Sequence, residues 1–268
     1  MPVRAHPRRL RRVALTVLGA LAAVAAGAST LRSPDRMATP AEAGALPPPV
    51  RPAFVPGSPR ALGPTRNLAH WAPVRRPAIA HAAPGAGAAA VAALPRTAPE
   101  GTPNAVAVLA QRQDASGRTW VRVRLPVLPN GTTGWIRRRA LGGYETVNTR
   151  LDVDLARLRA TLYRDGRPVL RAPVGVGRAG WPTPRGDFYV RNKLTRYRSP
   201  AYGPVAFGTS ARSPAATGWP AGGFVGIHGT DRPDLVPGRV SHGCIRLRNA
   251  DILVLARRMP VGTPLSIH

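Results

Sequence analysis

One cysteine and one lysine are found in 268 residues, and 12 acidic residues face 39 basic ones, for a formal charge of +27. A lone cysteine, Cys244, excludes an intrachain disulfide and leaves too few thiolates for a cysteine-rich zinc module. The single lysine, Lys193, has Val190 three positions before it, so the chain lacks the Ser-x-x-Lys nucleophile of the penicillin-binding serine enzymes. Neither His-Glu-x-x-His nor Gly-x-x-x-x-Gly-Lys-Ser/Thr occurs, which removes the common helix-borne zinc protease and phosphate-loop classes. Aromatics are only 5% of the chain, whereas 28 Gly and 31 Pro make up more than a fifth of it, so part of the sequence is expected not to fold compactly. Arginine in place of lysine, with abundant Ala, Gly and Pro, matches the codon bias of a GC-rich genome and accounts for some of the charge.

The first twelve residues, MPVRAHPRRLRR, are basic and free of acids, and Val13 to Ala28 form an apolar run rich in small residues. The run is shorter than the roughly 20 residues that cross a bilayer comfortably. Together with Ala26-Gly27-Ala28 it reads as a secretory signal over residues 1–28, cleaved after Ala28. An uncleaved N-terminal anchor is the alternative, and the only route by which the sequence would engage a membrane. Cleavage would leave a charge of +22, because the segment carries five arginines and no acid.

Residues 29–96 show no sustained period and many prolines, and read as a disordered Pro/Ala-rich linker. Order is expected from about residue 97. AVAVLAQRQ, a turn at Asp114–Gly117 and WVRVRL place Val121, Val123 and Leu125 on one strand face, and Pro129-Asn130-Gly131 turns the chain into GWIRRRAL. The segment 97–145 resembles a bacterial SH3-like barrel on WVRVRLP and NGTTGWI; the alternative is a β subdomain leaning on the C-terminal part of the chain. From Thr149 alternation resumes, with Asp165-Gly166 placed as a hairpin turn. Gly175 and Gly177 are followed by Pro182 and Pro184 rather than by a helical pattern, so a nucleotide loop is not expected. Asn249 is expected to cap a helix burying Ile252, Leu255, Ala256 and Met259, with Asp251 near its start and Arg257 and Arg258 near its end.

Of six histidines, only His228 and His242 lie near Cys244. His228 ends the apolar stretch FVGIHGT, and His242 and Cys244 share SHGC after a loop containing Pro and Gly. A thiol is mostly protonated at neutral pH and needs a base or a cation nearby to act as a nucleophile. His228, arriving on another strand, is the expected base. Gly243 removes a side chain beside the thiol and, with the Cys244 amide, is a candidate oxyanion hole. Two other readings compete: a structural buried cysteine, and a zinc site built from His228, Asp231, His242 and Cys244.

The segments HGT and SHGCIRL, preceded by VDLARLRATLYRDG, PVGVG and TPRGDFYV, resemble the L,D-transpeptidase catalytic domain over about Arg150 to Ile267. The resemblance implies a mainly β, sandwich-like catalytic domain over 149–268 with a C-terminal helix packed on it, preceded by the small β (SH3-like) module. It implies a bacterial envelope enzyme, needing no cofactor and no metal, whose cysteine attacks the amide between the third and fourth residues of a peptidoglycan stem peptide. An amine of a second stem then gives a 3-3 cross-link, and water would give carboxypeptidase activity. By motif position Cys244 matches the nucleophile and His228 the base, Gly229 the backbone that orients the histidine, and Ser241, His242 and Gly243 the supporting residues. Many members carry asparagine where this chain has Arg246, which either holds a substrate carboxylate or braces the loop. Acylation of Cys244 by carbapenems is also implied. The order histidine-then-cysteine excludes a papain-like peptidase.

The positive charge draws the protein to polyanions. Export and the lack of a nucleic-acid module point to anionic cell-wall polymers and not to nucleic acid. A non-catalytic wall-binding protein is the reading from a different class.

Overall fold

The computed structural model describes residues 57–197, 199–216 and 223–268. The expected signal segment, and the expected linker as far as residue 56, lie outside them. The described chain is mainly β, with a single α-helix among the described residues.

The first sheet contains β1 (Arg60–Ala61), β2 (Ala69–Pro73), β3 (Ala78–His81), β4 (Ala90–Leu94), β5 (Ala105–Gln113), β6 (Thr119–Arg124), β7 (Thr133–Arg137) and β8 (Glu145–Val147). Its order is β4-β3-β7-β6-β5-β2-β8, with β1 also paired to β5. The alternation read in WVRVRL holds, since Val121, Val123 and Leu125 are buried together with Val106, Val108 and Ile136.

The expected disordered linker is corrected over residues 60–96: four strands lie there, and Ala72, Val74, Ala80 and Leu94 are buried in the same core. The small β unit therefore runs from about residue 60 to 147 rather than from 97 to 145. The strands were hidden because their inward residues are mostly alanine, a weak strand former, and prolines punctuate them. Their partners are also distant in sequence: His81 pairs with Trp135, and Ala69 with Val147.

The second sheet is built from β9 (Thr149–Asp154), β10 (Arg159–Arg164), β11 (Arg167–Pro173), β12 (Gly175–Gly177), β13 (Gly186–Leu194), β14 (Ala206–Arg212), β15 (Phe224–His228), β16 (Gly238–Ser241), β17 (Ile245–Arg246) and β18 (Pro264–Ile267). Asp165 and Gly166, both at positive φ, make the tight turn joining β10 to β11. The order is β11-β10-β9-β18-β13-β14-β15-β17-β12-β16. β13 serves both halves: Gly186–Tyr189 pair with β18, and Val190–Leu194 with β14. The two halves share one core, in which Leu151, Val153 and Leu162 join Phe207, Ile227 and Ile245. That is the expected sandwich.

Helix α1 (Asn249–Arg258) closes this core with Ile252, Leu255 and Ala256, and Met259 just beyond its end is buried as well. Asp251 lies in its first turn and Arg257 and Arg258 in its last, as the macrodipole favours. The cap assignment is corrected. Arg248 is the N-cap and makes no side-chain cap bond, while Asn249 is the first helical residue and its side chain binds the Thr230 N–H, just past the end of β15.

Candidate active site

β15 and β17 run parallel, with Ile227 opposite Ile245 and His228 opposite Arg246. Side chains alternate along a strand, so the isoleucines enter the core while His228, Arg246, Gly226 and Cys244 share the other face. The Gly226 N–H donates to Cys244 Sγ at 3.4 Å. A Cβ at Gly226 would lie 3.8 Å from both Cys244 Sγ and His228 Cδ2, so the missing side chain leaves open ground between thiol and imidazole. Both line one cavity of about 370 Å³, together with Tyr202, Ser213, Phe224 and His242.

His228 is 3% exposed. Its Nδ1 lies 2.6 Å from the Gly229 carbonyl oxygen, which can only accept, so Nδ1 carries the proton and Nε2 keeps its lone pair. Burial pushes the imidazole down to about 4, against a smaller upward effect of the Gly229 carbonyl and a further lowering by the Arg246 charge. Burial pushes the Cys244 thiol up, opposed by the Gly226 N–H and by Arg246. The resting pair at neutral pH is consequently thiol and neutral imidazole, not thiolate and imidazolium.

The loop around the thiol is held from several sides. Ser241 Oγ donates to the Cys244 carbonyl at 2.6 Å and accepts from the Gly243 N–H at 3.1 Å. Buried Thr183 accepts from the Gly177 N–H and donates to the Gly243 carbonyl, each at 2.9 Å. Gly243 has φ of 115°, a conformation that L side chains rarely adopt. Its N–H being engaged by Ser241, the expected pairing of the Gly243 and Cys244 amides as an oxyanion hole loses its first member. His242 points to Arg178, with Nε2 2.9 Å from Nη2, and meets the Trp181 ring edge-on.

The strand end bearing His228 is fixed by α1. Asn249 Oδ1 accepts from the Thr230 N–H at 2.9 Å, and Gly229 packs so closely that a Cβ there would strike Asn249 Oδ1 and press tightly on Gly203. Tyr202 lays its ring 4.4 Å from that of His228. Two buried donors beside the thiol, Ser213 Oγ and Arg246 Nε, have no hydrogen-bond partner among the described residues. A buried donor without a partner costs free energy, which a ligand acceptor would recover.

The structure thus brings Cys244, His228, His242 and Arg246 to one region. Asp231 is exposed and stands apart, and among the described residues no group of three or more His, Cys, Asp and Glu could hold a metal ion. The zinc alternative has no geometric support there. Sequence reading missed Tyr202, Ser213 and the bracing role of Asn249; Thr183 lay unremarked inside the TPRGDFYV segment.

A family model for the L,D-transpeptidase catalytic domain, YkuD, matches residues 148–267. YkuD of Bacillus licheniformis, named for that activity, is 37% identical over 123 residues, covering 46% of this chain and 67% of the relative. Its namesake in Bacillus subtilis is 34% identical over 123 residues, covering 46% and 68%. The solved avibactam carbamoyl enzyme Ldtfm is 29% identical with a TM-score of 0.37, over 45% of this chain and 48% of that one. The chain therefore spans about half the length of that solved structure.

Proposed function

Given that the chain belongs to the L,D-transpeptidase family, we propose that it forms 3-3 peptidoglycan cross-links through a thioester on Cys244, with His228 as general base. The observation that carries this reading is the shared cavity in which the thiol and a tautomerically fixed imidazole flank the bare Gly226 position.

Cys244 Sγ attacks the carbonyl carbon between the third and fourth stem residues as its proton passes to His228 Nε2. The Cys244 N–H is the amide left to meet the developing oxyanion. Collapse breaks the C–N bond, and the departing D-amino acid takes the proton from His228. The amine of a second stem attacks the thioester, gives its proton to His228, and the thiol is restored. A neutral resting pair suits this sequence, because charge develops only while the acyl group is present. Ser213, which lines the cavity, is a substrate-facing donor, and the free carboxylate of the departing residue is the charge-assisted partner assigned to the buried Arg246 Nε.

Carbapenems follow the same first step, opening their lactam on Cys244. Export to the cell wall belongs to this reading, with the charge of +22 left after cleavage favouring anionic wall polymers; release of wall-bound protein by salt checks it. The activity test is incubation with disaccharide-tetrapeptide and mass analysis of the products, with Cys244→Ala as control. A cysteine-dependent dimer lacking one terminal D-alanine is expected. Tripeptide alone would replace transpeptidation by carboxypeptidation, and unchanged substrate would sink both.

A further inference from the structure

The catalytic cavity is not walled by the second sheet alone. Glu100, from the β4–β5 loop of the small β unit, lines it, and it is the only acidic side chain among the described lining residues. Its carboxylate is anchored at one side: Oε1 accepts from Arg191 Nη2 at 2.7 Å and Oε2 from Asn192 Nδ2 at 3.1 Å. The Arg191 side chain is 1% exposed, while that of Glu100 is 16% exposed. The cation is thus sealed behind the carboxylate, held by the Thr209 carbonyl and stacked 3.9 Å from the centre of the Phe224 ring. A carboxylate has about four lone-pair sites, and these two bonds leave acceptor capacity on the cavity side.

A row of residues connects Glu100 to the thiol. Asn192 pairs with Gly208, Gly208 with Gly226, and the Gly226 N–H reaches Cys244 Sγ. Gly208 and Gly226 both line the cavity; the Asn192 amide that holds Glu100 leans over Gly208, and the stretch of floor left bare between it and Cys244 is Gly226. Three strand spacings separate β13 from β17, roughly 14 Å at about 4.8 Å each. The result is a groove with a thiol at one end and, at the other, a carboxylate held by Arg191 and Asn192, in a molecule whose charge otherwise repels cations.

We propose that Glu100 is a specificity-determining residue that receives the side-chain ammonium of the acylating residue, so that the small β unit selects donor peptides whose third residue is a diamino acid. The assignment of the donor as a stem peptide rests on the transpeptidase reading. A long amine side chain on the residue whose carbonyl meets Cys244 would cross the bare Gly226 position and end at the Asn192 amide and the Glu100 carboxylate bonded to it. The attacking amine of the second stem is not this group, since it must reach the thioester itself.

The test separates binding from turnover. In the full chain carrying Cys244→Ala, calorimetry compares a muramyl tetrapeptide having lysine at the third position with one having norleucine there. The lysine peptide is expected to bind at least tenfold more tightly, and Glu100→Gln to bring the two peptides to the same affinity. Equal binding of both peptides to the Cys244→Ala protein would overturn the proposal, as would no measurable binding of the lysine peptide, or a Glu100→Gln variant that keeps the preference. The comparison in the protein with Glu100 intact decides the matter even if Glu100→Gln does not fold. Turnover of the lysine peptide by the chain with Cys244 intact is read separately; its absence would count against the transpeptidase reading and leave the affinity comparison legible.

Discussion

At the scale of single residues, the site is a buried neutral imidazole beside a neutral thiol. His228 has its folded pKa lowered from 6.5 to about 4. Between these values the unfolded chain binds the proton and the folded one does not, so stability is full above about pH 6.5 and falls as the pH drops toward 4. The linkage is on the order of 3 kcal/mol. Denaturant unfolding at pH 7, 5.5 and 4 should show that loss, and His228→Gln should flatten it; an unchanged acid limb would mean that His228 is solvated in the folded protein. The thiol shift has the opposite experimental face. Because burial raises the Cys244 pKa, alkylation by iodoacetamide should be slow at pH 7 and climb with pH beyond the range of an ordinary thiol. A rate already at its plateau at pH 7 would instead reveal a resting ion pair. Both residues were legible in the sequence, because a lone cysteine in SHGC with His228 sixteen positions before it left few other partners. Tyr202 and Ser213 were not, because what marks them is their approach across the fold and no local pattern records it.

At the scale of elements, the site depends on a parallel pair, β15 with β17, and on a helix start that reaches back to it. Alternation and the Asp165-Gly166 turn made the strands and one hairpin readable. The pairing of β15 with β17, and of β9 with β18, was not readable, since parallel partners are joined by long connections whose endpoints no local signal records. Asn249 shows how local reading fails: a residue suited to capping lies one position inside the helix and binds the Thr230 N–H instead. Asn249→Ala should cost about 1–2 kcal/mol by leaving that N–H without its partner. It should also slow acylation of Cys244 by a carbapenem, because the Gly229 carbonyl that orients His228 would loosen. Thermal unfolding and intact-mass kinetics check the two effects, and wild-type kinetics at reduced stability would restrict Asn249 to a structural role.

At the scale of the whole molecule, the two sheets are joined by specific polar contacts. Asn130 donates to the Arg212 carbonyl at 2.8 Å and accepts from its N–H at 3.0 Å. Tyr189, fully buried, donates from its hydroxyl to the Ala105 carbonyl at 3.2 Å, and Glu100 pairs with Arg191. Composition suggested a tether over 29–96, followed by a small β module and a catalytic domain. What composition obscured is that alanine-rich, proline-punctuated strands complete the first sheet, whose β4–β5 loop brings Glu100 to the cavity. Residues 148–268 alone should consequently melt at lower temperature than residues 57–268, because Tyr189 and Arg191 lose their covering and partners; equal melting temperatures would contradict this coupling.

Acylation of Cys244 by a stem peptide is the event on which the proposed chemistry depends. Intact-protein mass spectrometry after brief mixing with disaccharide-tetrapeptide measures that event directly. The prediction is an adduct on Cys244 equal to the donor minus its terminal D-alanine, reversed by hydroxylamine and missing in Cys244→Ala. Unmodified protein whose Cys244 is nevertheless fully alkylated by iodoacetamide at high pH would contradict it, for the thiol would then be present and reactive but not an acceptor of this acyl group.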